Sequence, residues 1–413
     1  MNESTLLHRL LKFKGFRIVR FWFSEAGELM LAVKPHGNGR RCPHCGRRCR
    51  LVKSSPMERR WRDLVVCGTP IWLVYQPREV LCPTHGRHQE EIPWARPHSH
   101  MTYRAEFQLL SYCQMMTQKA AAMLFHIPAS TLSEWLHRLI RCLRQGHKIS
   151  GLRSIGVDEI AYCRGHKYVT IVYDLERSCV VWVGKGKTRE TIDGFFTEVL
   201  TQEQREAIVT ASCDLGQTYI EAIKRFCPNA VLVLDRFHVV KRLNEAVDEV
   251  RKEQWRNASK EDRKFYKGIR WILFRHSSNR SPKDTETLKS LDRSNRRIYR
   301  ASQLKDEFDQ FWEFKDIGEA ERHVRKWMTS VRRSRLEPMK NFVKTLENHF
   351  DDVLAFIGTP ISNAIAEGLN RVIKIVKNRA SGFRKVDSFT DMIYLTVGDL
   401  DLPAQIPVQF RII

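Results

Sequence analysis

Four carboxylates stand at positions where ordinary packing gives them little reason to be. Asp158 follows Ile155-Gly156-Val157, Asp214 follows Val209–Cys213, and Asp235 closes an apolar run and is followed by Arg236-Phe237-His238. The fourth, Glu367, lies in ISNAIAEGLNRVIKIVKNRA, Ile361 to Ala380. There Ile365, Leu369, Val372 and Val376 recur at helical spacing and form an apolar face, while Asn363, Glu367, Asn370 and Lys374 form another. One such acid by itself reads as a helix cap, a loop acid or part of a solvated face. Three aspartates ending apolar strands are harder to explain that way, because a buried unpaired carboxylate is costly. A metal ion relieves that cost, and hard oxygen donors suit Mg²⁺ or Mn²⁺.

A second constellation uses softer donors. Cys42-Pro43-His44-Cys45-Gly46 and Cys82-Pro83-Thr84-His85-Gly86 are two tight turns, each offering a pair of ligands. The spacing points to tetrahedral Zn²⁺ held by Cys42, Cys45, Cys82 and His85. The rival is a redox Cys-x-x-Cys, but no thioredoxin-like strand and helix surround it. Cys49 and Cys67 are spare thiols that could replace one ligand.

The elements that must carry these groups can be read in outline. Phe16–Phe23 and Leu29–Val33 read as strands joined by a turn at Glu25–Glu28. Leu64–Cys67 and Ile71–Tyr75 are strand-like runs between the two ligand pairs. Thr117–Ile140 carries a helix ending near Phe125, a break at His126-Ile127-Pro128, and a second helix capped by Thr131 with Glu134. Ala121, Leu124, Ile127, Leu132, Trp135 and Leu136 would form its small core. This is the pattern of a helix-turn-helix, with Thr131, Ser133, His137, Arg138 and Arg141 offered to a DNA groove. From Ser154 onward, SIGVDEIAY, KYVTIVYDL and CVVWVGKG read as strands, then come a helix, the strand AIVTASCD, a helix, and the strand AVLVLDRFHVV. That order makes a mixed sheet flanked by helices. A charged helical stretch follows, punctuated by Trp255, Trp271, Trp312 and Trp327. Tryptophans in such a stretch are more often core than base-stacking platforms, and the cluster Arg332-Arg333-Ser334-Arg335 suits phosphates.

Composition agrees with a polyanion partner. The chain has 413 residues, a formal net charge of +23 and 42% hydrophobic residues. That length predicts several domains, and the spread of positive charge favours nucleic acid over a membrane surface. No apolar run is long enough to span a bilayer, and the start has no signal-peptide core. With 11 cysteines, most of them isolated, the expected setting is a reducing cytoplasm.

The order of elements, with Asp158 on the first strand, Asp214 after the fourth and Glu367 on a late helix, resembles the RNase H-like core of DDE transposases. The strings DRFHVVKRLNEA and SNAIAEGLNRVIKIVKNRASGFR, with the two-turn zinc module before them, are similar to the insertion-sequence transposases of the ISL-three family. The resemblance runs from about Cys42 to about Phe389; His85 stands where a Cys is more usual. It implies a multidomain α+β fold: an N-terminal segment (1–40), a zinc-binding module (41–98), a helix-turn-helix (100–147), and an RNase H-like α/β core (151–240). A helical insertion (241–360) interrupts the core, whose last part (361–413) carries Glu367. It also implies a DNA transposase, localised to the cytoplasm and nucleoid, that binds terminal inverted repeats, cleaves 3′ ends and transfers strands into target double-stranded DNA. Asp158, Asp214 and Glu367 would be catalytic and hold Mg²⁺ or Mn²⁺, with Asp235 and His238 in support. Lys374, Arg379 and Arg384 would contact DNA, and pairing two element ends calls for a homodimer or larger assembly. Topology selects Asp214 over Asp235, because the second carboxylate of this core follows the fourth strand. An RNase H-like nuclease without strand transfer, or a regulator with an inactive core, are the alternatives.

Overall fold

The computed structural model describes residues 7, 11, 15–37, 40–145, 149–163, 165, 167–359 and 364–400. They divide into two compact units, one of residues 1–148 with 375–413 and one of residues 149–374.

In the first unit, β1 (Phe16–Phe23) and β2 (Leu29–Pro35) form a hairpin. Gly27, at φ +75°, closes its turn, a conformation that costs glycine nothing. Next come β3 (Arg50–Ser54), β4 (Arg59–Val66), β5 (Thr69–Tyr75), β6 (Arg78–Cys82) and β7 (Gly86–Gln89). These strands make two sheets, ordered β1-β2-β5-β4 and β3-β6-β7. The larger sheet buries Leu31, Trp61 and Leu73, and Trp94 meets Phe16, Trp61 and Tyr75 edge-on. Three helices follow: α1 (Tyr103–Met115), α2 (Gln118–Leu124) and α3 (Ala129–Gln145). Thr102 and Thr117 cap the first two by accepting from the backbone N–H groups of Ala105 and Ala120. Ala121, Leu132 and Leu136 are buried as expected, but Leu124 is exposed and Phe125 fills the core instead. The third helix starts ahead of the expected cap. Leu132 N already donates to the carbonyl of Pro128, so Thr131 lies inside the first turn.

The second unit is built on β8 (Ser154–Cys163), β9 (Lys167–Asp174) and β10 (Cys179–Lys185). Helix α4 (Arg189–Gly194) runs on as a π turn through Val199, and α5 (Gln202–Glu206) precedes β11 (Thr210–Cys213). Then α6 (Gln217–Phe226), β12 (Val231–Leu234) and α7 (Arg236–Arg256) complete the layer. The sheet order is β10-β9-β8-β11-β12. β8, β9 and β10 pair antiparallel, while β8, β11 and β12 pair parallel. The fifth strand is shorter than AVLVLDRFHVV suggests. Asp235 caps α7 by accepting from Phe237 N at 2.9 Å, so Arg236 to Val240 are helical.

The charged stretch is helical throughout its elements: α8 (Lys260–Gly268), α9 (Arg270–Phe274), α10 (Pro282–Ser294), α11 (Arg296–Asp309), α12 (Ile317–Arg333), α13 (Glu337–Asn348) and α14 (Phe350–Gly358). They share one hydrophobic core with the sheet, running through Val247, Leu304 and Phe308. Trp312 and Trp327 are buried in it, and the Trp327 indole donates to the Leu304 carbonyl at 2.7 Å. Trp255 and Trp271 are exposed, so the core reading holds for two of the four tryptophans. Helix α15 (Ala364–Arg379) spans the division, its residues through Lys374 counted with the second unit. The expected helix start at Ile361 to Asn363, and the tail beyond Leu400, lie outside the described residues. Helix α16 (Val386–Val397) belongs to the first unit and packs on α1 and α3.

Candidate functional site

Strand register brings the aspartates together. Val157 pairs with Cys213, and Cys213 with Leu234, across three parallel strands. The next residue along each is therefore Asp158, Asp214 and Asp235, with adjacent strands about 4.8 Å apart; β11 and β12 end just before their aspartates, but β8 runs on in its pairing with β9 to Cys163, so Asp158 lies mid-strand and not at a strand end as expected. Asp158 Oδ1 accepts from the Glu159 backbone N–H at 2.7 Å, and Oδ2 accepts from Asn370 Nδ2 at 2.5 Å. Burial, reinforced by the charge of Asp214, pushes the Asp158 carboxyl above its ordinary value, against the pull of the Glu159 amide, His238 and Asn370. Asp214 Oδ1 accepts from Gly216 N at 2.9 Å. A Cβ on Gly216 would lie 2.7 Å from that oxygen, so a glycine is needed for the loop to close on the carboxylate. The helix after it begins at Gln217 with Gly216 at its cap position, so Asp214 orders a turn and is not the helix cap. The capping role falls to Asp235, whose carboxylate also lies 3.7 Å from His238 Nε2.

Asn370 is buried on α15 and joins that helix to β8. The buried Tyr173 of β9 donates its hydroxyl to Asn370 Oδ1. That bond turns the amide so that its NH₂ faces Asp158. Burial holds the Tyr173 phenol well above its ordinary value, so it stays a donor. Helical spacing places Asn370 on the polar face of its helix, whereas Tyr173 looks like any apolar strand residue and carries no such signal. Glu367 lies in the first turn of α15, exposed, one helical turn before Asn370. Residues three apart on a helix have Cβ atoms about 5–6 Å from each other, so Glu367 neighbours Asn370 on the helix surface. Among the described residues, the carboxylates of Asp158, Asp214 and Glu367 do not approach within 4.8 Å of one another as a group. The donor set still fits a hard divalent cation, because two half-buried carboxylates side by side repel each other until a cation is shared.

The only donor cluster that close, among the described residues, is Cys42, Cys45, Cys82 and His85. Cys42 Sγ and Cys82 Sγ each lie 3.7 Å from His85 Nδ1, and Cys45 Sγ lies 3.7 Å from Cys82 Sγ. A tetrahedron with metal–sulfur bonds of about 2.3 Å has edges of about 3.7 Å, so the four atoms are spaced for one zinc. Gly46 and Gly86, both at left-handed φ, turn the chain back after each pair. Although burial opposes it, hydrogen bonds from His85 and from the Thr84 and His85 backbone bring the Cys82 thiol down to about 5, which favours the thiolate a metal needs. Cys49 bonds the Arg47 carbonyl beside the cluster, and Cys67 sits at positive φ in the β4–β5 turn. Neither belongs to the set.

The DNA-contact candidates divide into two groups. On α3, Arg138 and Arg141 are exposed, and Arg138 pairs with Glu134 at 2.8 Å. Thr131 is half-buried, and Lys374 and Arg384 are exposed. Ser133, His137 and Arg379 have partners inside the first unit. Ser133 Oγ meets Ser388 Oγ at 3.3 Å, and His137 Nδ1 meets the buried Asp391 at 2.9 Å. Arg379 donates to the Gln114 and Cys113 carbonyls at the end of α1, at 2.8 and 3.3 Å. Helix α16 therefore covers one side of α3, and a cleft of about 820 Å³ opens beside it, lined by Lys119, Glu134, Arg384 and Lys385. Among the described residues, no helix is long and apolar enough to cross a membrane.

Three family models match the chain. Residues 155–393, more than half of it, match the transposase model of family ISL3. Residues 90–140 match the helix-turn-helix domain of that family, and residues 39–85 match the zinc-finger of transposase IS204/IS1001/IS1096/IS1165. The chain is 28% identical over 396 residues to the transposase for insertion sequence element IS1001 of Bordetella parapertussis, covering 94% of this chain and 97% of that one. It is 25% identical over 407 residues to the transposase for IS1557 of Mycobacterium tuberculosis, covering 92% and 91%. Among solved structures, the Drosophila P element transposase strand transfer complex aligns at a TM-score of 0.39 and 10% identity, over 74% of this chain and 94% of that one, a likeness too loose to compare sites.

Proposed function

Because the chain belongs to the ISL3 family of insertion-sequence transposases, enzymes that cut and join DNA with divalent metal, we propose that Asp158, Asp214 and Glu367 form its catalytic site. The observation that carries this reading is the hydrogen bond from Asn370 to Asp158, which ties the helix of Glu367 to the middle of β8, beside the end of β11 where Asp214 follows. Asp158 is held by two donors, Asp214 by the Gly216 turn, and Glu367 is left exposed to complete the set. Mg²⁺ or Mn²⁺ bound there would supply Lewis-acid stabilisation to the attacking and leaving oxygens of phosphoryl transfer. Asp235 and His238 support this site from the start of α7. Water and then the freed 3′-OH serve as nucleophiles, so no covalent link to a Tyr or Ser side chain is required.

Cys42, Cys45, Cys82 and His85 hold one structural Zn²⁺, and the helix-turn-helix binds the terminal inverted repeats through Arg138, Arg141 and their neighbours. Joining two ends to a target requires a homodimer or a larger assembly on DNA, acting at the nucleoid. The test is end cleavage and joining to a target plasmid in Mg²⁺. Asp158→Asn, Asp214→Asn and Glu367→Gln should each abolish both, with folding and end binding intact. Full cleavage by any one of the three, folded, overturns its assignment.

A further inference from the structure

Away from these sites, the helical part of the second unit contains a cleft of about 520 Å³ between the start of α11 and the end of α12. Arg296, Arg297, Arg300, Arg333 and Arg335 line it, with Asp292 as the one carboxylate and no lysine. Arg297 and Arg300 make long ion pairs with Glu253 and Glu307, at 3.5 and 3.4 Å. Arg296, Arg333 and Arg335 have no ion-pair partner among the described residues, and the buried Nε of Arg297 has no acceptor among them.

The placement runs against local physical chemistry. The N-terminal end of a helix carries partial positive charge and favours acids in its first turn. Helix α11 has none there and instead starts Arg296-Arg297, with Arg300 one turn on. Like charges gathered in a concave, partly desolvated surface raise its potential further. Such conflicts between local preference and structure are expected at functional sites, where a ligand removes the repulsion. The choice of arginine narrows the ligand, since the planar guanidinium fork matches a phosphate through paired hydrogen bonds, which an ammonium cannot do.

We propose that this cleft is a phosphate site occupied by the sugar–phosphate backbone of duplex DNA, a second DNA-binding surface separate from the helix-turn-helix. It rests on the proposed function only in taking duplex DNA as the source of the phosphates.

The experiment uses the full chain and two labelled duplexes, one carrying the element end and one scrambled, titrated by fluorescence anisotropy between about 50 and 200 mM salt. Arg296→Gln, Arg333→Gln and Arg335→Gln combined should weaken binding to both duplexes by the same factor. The slope of log K against log salt should become shallower by about 0.9 for each phosphate that the variant no longer neutralises, about 2–3 in all. Lys289→Gln, an exposed lysine outside the lining, is the control for general charge loss and should leave the slope unchanged. If the triple variant misfolds, Arg335→Gln alone should lower the slope by about 1. An unchanged slope in a folded variant overturns the proposal, as does a loss confined to the end duplex. Competition by inorganic phosphate or a nucleoside triphosphate through these arginines, with the DNA slope unaltered, overturns it in favour of a free ligand. End cleavage by the wild-type chain is read separately, so failure of the catalytic assignment leaves this result interpretable.

Discussion

The contact between Asn370 and Asp158 can be tested as a coupled unit with Tyr173. Asn370→Ala removes a hydrogen bond to a carboxylate, worth about 1.5–3 kcal/mol, and leaves the buried Tyr173 hydroxyl without its acceptor, a further 1–3 kcal/mol or so. The single variant should therefore lose about 3–5 kcal/mol of stability in the second unit. Tyr173→Phe removes a neutral donor and leaves the buried Asn370 Oδ1 unpaired, and should cost about 1–3 kcal/mol. The double variant has no orphaned hydroxyl, so it should cost less than the sum of the two, by about 1–2 kcal/mol. Native-state hydrogen exchange of the β8 and β9 amides against urea, in the full chain, reads this unit by itself. Costs that add within about 0.5 kcal/mol would refute the relay from Tyr173 through Asn370 to Asp158. The same chain of bonds predicts a kinetic effect: without Asn370 the Asp158 carboxyl should titrate still higher, moving the acid limb of the cleavage profile to higher pH.

Three other outcomes follow from the geometry. Because burial raises Asp158 in the folded state, ionisation opposes folding; the stability of wild type relative to Asp158→Asn should be greatest in acid and fall as pH rises through the raised value, measured by urea melts across pH. Cys42→Ser should lower bound zinc from one per chain and weaken end binding, and metal analysis finding no zinc in wild type purified without chelators would refute the site. His137→Ala strips Asp391 of its partner on α3 and should destabilise the first unit by about 1–3 kcal/mol, with end and random DNA affected equally. Arg138→Ala should instead lose about 1–3 kcal/mol on end DNA alone if it reads a guanine.

Some of this was legible in the chain because it depends on local rules. Cys-x-x-Cys-Gly and Cys-x-x-His-Gly each close a turn by themselves, since the spacing and the left-handed glycine need no distant partner. Acids next to apolar runs marked Asp158 and Asp214, although β8 continues five residues past Asp158, and helical spacing marked the Glu367 face. Boundaries were less visible where two local signals competed. Val231 to Val240 is apolar enough to read as one strand, but an aspartate able to cap a helix ended it at Leu234. Likewise α3 begins at Ala129, two residues before Thr131. What tertiary structure alone decided is which polar face meets which. Asn370 and Tyr173 lie on different elements far apart in sequence, and only strand register and core packing bring them to Asp158. In the same way, the packing of α16 on α3 takes up Ser133 and His137 and leaves Arg138 exposed. Periodicity names the face of a helix; the partner of that face is set by which apolar surfaces the whole chain can bury at once.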